Sequence, residues 1–150
     1  MNSAKDDPAN LRYVAGVDQQ AGALAWTQEG SERRFWIVTS RRTRRWVLPK
    51  GSIDAGMSPS EAAAQEAFEE AGLIGTVASE SIGSYRLPKI RPPLIWTVEV
   101  ALFPLQVTEI QEDWQESHQR ERRLVTVEEA AELIFEREIV ELIADRLPHL

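Results

Sequence analysis

A chain of 150 residues with 43% apolar and 27% charged residues has the size and balance of one core beneath a solvated surface, which excludes wholesale disorder. The formal charge of −7 argues against a general nucleic-acid binder, and the lack of cysteine excludes a disulfide framework and a thiolate metal site, leaving oxygen ligands or the two histidines for any metal. No apolar run reaches the ~18 residues of a membrane span and Met1 to Asn10 holds no signal-peptide core, so a cytoplasmic protein without a membrane partner is expected.

In chain order, residues 1–10 are polar and aperiodic and read as a flexible arm, with one domain over residues 11–150. Apolar runs rich in Val, Ile, Trp and Phe predict strands over residues 23–27, 35–39 and 46–48. Arg41, Arg42, Arg44, Arg45 and Lys50 form a dense basic stretch suited to a polyanionic ligand. A helix is predicted over residues 58–71: Ser58, Pro59 and Glu61 supply an N-cap, a first-turn proline and the return partner of a capping box, and Gly72 supplies the stop. Arg86, Lys89 and Arg91 fall in what reads as a proline-broken connection. Residues 94–103 read as a central strand bracketed by Pro93 and Pro104. A short strand over residues 124–127 leads to a helix capped by Thr126 and Glu129, and a last helix follows over residues 136–146. The class is mixed α/β, a mixed sheet between helices.

At ~100° per residue, Glu66, Glu69 and Glu70 form one stripe of the first helix, with Ala64, Ala67, Phe68 and Ala71 roughly opposite, expected to face the sheet. Like charges at this spacing repel by a few tenths of a kcal/mol unless a cation sits among them. Side chains lean toward the helix N-terminus, where Ala62 and Ala63 are expected to leave space for a ligand. A glutamate-rich helical face is by itself most often a solvated surface, so the flanking sequence decides.

The run Gly51-Ser-Ile-Asp-Ala-Gly-Met-Ser-Pro-Ser-Glu-Ala-Ala-Ala-Gln-Glu-Ala-Phe-Glu-Glu-Ala-Gly-Leu73 resembles the Nudix box, a glycine-started loop leading into a helix. Gly51, Glu66, Ala67, Glu69, Glu70, Gly72 and Leu73 occupy matching positions. Met57 stands where the box has its first glutamate and Gln65 where it has arginine; an acid and a base are lost together, which leaves neither unpaired, and the two are expected to lie close together near the helix start. The segments Ser40-Arg41 through Gly51 and Val107 through Arg122 resemble the diphosphoinositol polyphosphate phosphohydrolase branch, whose bacterial relatives act on dinucleoside polyphosphates.

The resemblance implies a Nudix fold and a hydrolase of phosphoanhydride bonds in a phosphorylated small molecule. Its Mg²⁺ or Mn²⁺ would be held by Glu66, Glu69 and Glu70 with the backbone carbonyl of Lys50, and these three glutamates would be its catalytic residues. The base for the attacking water is Glu66, Glu70 or a group outside the box. Substrate contacts are expected from Gly51, from Arg41 and Arg120, which match basic positions of the branch, and from the loop cations Arg86, Lys89 and Arg91. Arg44 and Arg45 read as solvent-facing, Arg122 and Arg123 as strand-edge decoration, and His118 and His149 carry no ligand spacing. Trp114 is the one tryptophan in a polar loop and a candidate for stacking on a base. Two rival readings remain: a non-catalytic ligand-sensing module, and an RNA 5′-end pyrophosphohydrolase, which the acidic charge disfavours. The chain is expected to be a monomer or a homodimer.

Overall fold

The computed structural model describes residues 10–150; of the arm expected over residues 1–10, residues 1–9 lie outside the described residues. The strands are β1 (Arg12–Glu29), β2 (Glu32–Thr39), β3 (Trp46–Val47), β4 (Lys50–Ser52), β5 (Leu73–Val77), β6 (Gly83–Arg91), β7 (Leu94–Ile110) and β8 (Arg122–Val125). The helices are α1 (Pro59–Ala71), α2 (Val127–Leu133) and α3 (Arg137–Arg146).

The most apolar run, β7, is the spine. It pairs in parallel with β1 and antiparallel with β6 and β5, and β2, β3, β4 and β8 complete a mixed sheet. Because side chains alternate between the faces of a strand, β7 feeds two cores. Val98, Val100 and Leu102 join Leu24, Phe35, Ile37, Ile139 and Ile143 beneath α2 and α3. Phe103 and Leu105 join Ala21, Ala23 and Ala25 beneath α1. The expected sheet between helices is present.

Three differences from the sequence reading have physical causes. Pro104 does not end β7, because it falls in the gap between β6, whose pairing stops at Leu102, and β5, whose pairing starts at Leu105. Pro104 keeps β1 on its other side, and its missing N–H costs nothing because it falls on the side of the gap, where its carbonyl accepts from the Ala78 N–H. The proline-broken connection is in fact strand β6, whose one partner is β7, so Pro88 sits on an edge. The strand predicted over residues 23–27 extends back to Arg12 through mixed polar and apolar residues, because parallel pairing with β7 continues there, with a register shift between Tyr13 and Val17.

The helix α1 has the caps its sequence predicts: Ser58 and Glu61 bond reciprocally, and Gly72 closes the helix at φ 65. Its orientation differs from expectation. Ala62, Ala63, Ala67 and Ala71 are buried while Phe68 is 45% exposed. At ~100° per residue the buried side centres between Ala63, Ala67 and Glu70, about 130° from Phe68. Small side chains let the helix approach the sheet, and Ala62 and Ala63 belong to the core and leave no ligand space. This rotation carries Glu70 into the packing face, where it is 6% exposed.

Candidate active site

Strand β4 and helix α1 build the centre. Gly51 faces α1 so closely that a Cβ there would collide with the Glu66 carboxylate. One residue earlier, the Lys50 backbone N–H donates to Glu70 Oε1 at 3.3 Å. Glu66 and Glu70 lie one turn apart on α1, close enough for each carboxyl to act on the other. Burial, opposed by Arg120 and reinforced by Glu66, pushes the Glu70 carboxyl up to about 8. Burial also raises Glu66. Glu69 points elsewhere and accepts from Gln65 Nε2 at 3.1 Å. The hydrogen bond of Gln65 thus stays on its own helix, while the Met57 backbone N–H bonds to Asp54 in the loop.

The segment between β7 and β8 supplies the other half. Arg120 is 8% exposed and lies 3.3 Å from Glu70 Oε2 and 2.6 Å from Glu116 Oε1. It also donates to the Thr39 carbonyl at 3.0 Å. Arg120, expected as a substrate contact, is paired with two carboxylates in this structure. Glu116 escaped the sequence reading, although its spacing of four residues from Arg120 was a usable signal.

The cations sort by strand face. Tyr85, Leu87 and Lys89 share one face of β6, and Arg86 lies on the other, bonded to Glu99 at 3.0 Å. The Lys50 side chain, the last cation of the basic stretch, lies near Lys89, Glu70, Arg120 and Glu66; burial first, then Lys89, lowers its pKa. Arg91 is exposed at the end of β6. Arg41 is exposed and reaches Gln119 Oε1 at 3.3 Å, which sets the basic loop beside Arg120. Arg44 and Arg45 are exposed, paired with Glu121 and Glu136. Thus Arg120 pairs with Glu70, Lys50 lies beside it with Lys89 near Lys50, Arg41 and Arg91 are exposed, and Arg86 is on the opposite face of β6 from Lys89.

The family model described as NUDIX domain matches residues 18–145. The chain belongs to the Nudix family. This Nudix hydrolase is 30% identical to diphosphoinositol polyphosphate phosphohydrolase 3-beta of Bos taurus, over 79% of the chain and 70% of that protein. It is 36% identical to mitochondrial Nudix hydrolase 12 of Arabidopsis thaliana, over 83% of the chain and 66% of that protein. In three dimensions it resembles the C. elegans Ap4A hydrolase with a TM-score of 0.61 at 22% identity, covering 86% of this chain and 95% of that one. That likeness supports the fold. No helix among the described residues is long and apolar enough to cross a membrane.

Members of the family generally use divalent metal ions. The residues of this Nudix hydrolase fit one: the donors are all oxygen, as hard cations require, and Gly51 opens a cradle that any side chain would fill. Burial raises the pKa of both Glu66 and Glu70, and each adds to the other's electrostatic cost, which a cation would relieve. Among the described residues no three acidic or imidazole side chains form a closed cage as they stand.

Proposed function

We propose that this Nudix hydrolase cleaves a phosphoanhydride bond in a dinucleoside polyphosphate or diphosphoinositol polyphosphate, using Mg²⁺ or Mn²⁺. The cation would be held by Glu66 and Glu70, with Glu69 and the Lys50 carbonyl as further oxygen donors. The observation that carries the reading is the buried Glu70 carboxyl beside the half-buried Glu66, set against Gly51 and the Lys50 backbone and paired with Arg120. Clustered carboxyl groups with cations nearby are suited to gathering polyanionic phosphate around a metal.

When bound, the metal lowers the charge on the phosphates and the pKa of an attacking water. The chain's own groups do the rest. A carboxylate of the cluster takes the proton of the water as its oxygen bonds to phosphorus; the bridging P–O bond breaks and a phosphate leaves. Lys50 and Lys89 neutralise the substrate's non-bridging oxygens, and Arg41, Arg91 and the backbone at Gly51 extend the binding surface. The printed names of the relatives, diphosphoinositol polyphosphate phosphohydrolase and Ap4A hydrolase, support this substrate class.

The test is a panel with Mg²⁺ or Mn²⁺ of dinucleoside polyphosphates, nucleoside triphosphates, nucleotide sugars, diphosphoinositol polyphosphates and triphosphorylated RNA, run on the wild type and on Glu66→Gln and Glu70→Gln. The expected result is turnover of a polyphosphate small molecule that falls about a hundredfold or more in both variants, at ~1.4 kcal/mol per decade. Near wild-type turnover in Glu70→Gln would overturn the site. Activity confined to RNA would overturn the substrate class, and no turnover of any substrate would favour a sensing module.

A further inference from the structure

The last turn of an α-helix leaves four carbonyls without intrahelical partners. In α1 these belong to Glu69, Glu70, Ala71 and Gly72, and one segment, residues 111–122, satisfies all four. The Gln111 N–H donates to Gly72 at 2.8 Å and the Glu116 N–H to Glu69 at 3.2 Å. The Trp114 indole N–H donates to the Glu70 carbonyl at 2.9 Å. The Arg122 guanidinium donates to the Ala71 carbonyl at 2.7 Å.

Trp114 and Arg122 also hold each other, the guanidinium lying 4.0 Å from the ring centroid. This is a cation–π arrangement with the indole face as floor. Gly72 lets the pair come so near: a Cβ there would fall 2.8 Å from Trp114 Cβ and 2.9 Å from Arg122 Nη1. No basic residue of α1 lies in its own last turn, so Arg122 supplies from β8 the positive charge that the negative end of the helix favours.

The segment that grips the helix also carries Glu116 and Arg120. Trp114 bonds the main chain of Glu70 while Arg120 bonds its side chain. We propose that Trp114 and Arg122 are positioning residues of the active site. They fix the register between the end of α1 and residues 111–122, and so hold the Glu70 carboxylate in the geometry needed for metal binding and turnover. The indole and the guanidinium, read from sequence as a base-stacking ring and strand decoration, are partners of the helix.

The inference rests on Glu70 belonging to the metal site, so Glu70→Gln is run alongside as its own control. The variants are Trp114→Phe, which keeps the ring and deletes one N–H; Arg122→Gln, which removes the charge; and Arg122→Lys, which keeps it. Mn²⁺ binding to the substrate-free protein is measured by calorimetry, together with kcat and KM on the best substrate of the panel and with thermal unfolding. Loss of an outer partner of a metal ligand typically costs about 10–100-fold in affinity or activity. Trp114→Phe and Arg122→Gln are expected to weaken Mn²⁺ binding and lower kcat by about tenfold, with KM within about twofold, and Arg122→Lys to recover part of both.

If Glu70→Gln abolishes Mn²⁺ binding while Trp114→Phe and Arg122→Gln keep wild-type Mn²⁺ affinity and kcat, with only the melting temperature lowered, the two residues are helix caps and the proposal is overturned. If a variant does not fold, the conservative member, Trp114→Phe or Arg122→Lys, decides by the same two readouts. If Glu70→Gln itself binds Mn²⁺ normally, the metal assignment fails and this inference fails with it.

Discussion

In metal-free buffer, the stability of the wild-type protein should fall with rising pH in a window set by Glu70. Its carboxyl, 6% exposed, has a folded-state pKa pushed up from the ordinary 4.5 to about 8, by burial above all. An acid with a raised pKa holds its proton more tightly in the folded state, so its contribution is fully present below pH ~4.5, is lost progressively as pH rises toward ~8, and changes little above. At ~1.4 kcal/mol per pH unit the loss is at most about 5 kcal/mol. Glu70→Gln keeps the size but cannot ionise. Urea unfolding followed by tryptophan fluorescence, with chelator present, should give similar stabilities for the two proteins near pH 5 and a variant more stable by a few kcal/mol near pH 8.5. Curves that stay parallel from pH 5 to 8.5 would refute the burial argument, because no carboxyl would then be desolvated at this position.

Three further outcomes follow from packing. Gly51→Ala places a methyl group against the Glu66 carboxylate and should weaken Mn²⁺ binding tenfold or more, at about the cost of an outer-shell change, while the protein stays folded by circular dichroism. Phe35→Ala, at a fully buried position, should cost about 3–5 kcal/mol in urea unfolding, whereas Phe68→Ala should cost under about 1 kcal/mol; equal losses would contradict the orientation of α1. Thr126→Ala removes the capping box of α2 and should cost about 1 kcal/mol, read as a lower thermal midpoint.

The parts of this fold that the sequence announces are those written in local chemistry. Both capping boxes, Ser58 with Glu61 and Thr126 with Glu129, depend on residues three apart. The box from Gly51 to Leu73 likewise fixes glycine and glutamates within one loop and helix. What escapes depends on distant chain. Whether Pro88 and Pro104 break a strand is decided by which neighbours pair beside them. Phe68 misleads because size suggests burial, while the close approach of α1 to the sheet selects alanine for the inner face. Arg122 looks like decoration on β8 because its acceptor, the Ala71 carbonyl, lies 51 residues away.

The parallel pairing of β1 with β7 joins Arg12 to Leu94 and Trp26 to Gln106, partners roughly 80 residues apart in the chain. Everything that builds the site except the segment after β7 lies inside that loop, so the sheet beneath the glutamates closes only after a long stretch of chain has been gathered. Such distant pairings slow folding by orders of magnitude relative to helical bundles of similar size. During synthesis β1 must wait, its hydrogen-bonding groups unclaimed by their final partner, until β7 has emerged. In its first half Gly16, Asp18, Gln19 and Gln20 interrupt the apolar surface that Tyr13, Val14 and Val17 would otherwise extend, the kind of surface that drives chains to associate.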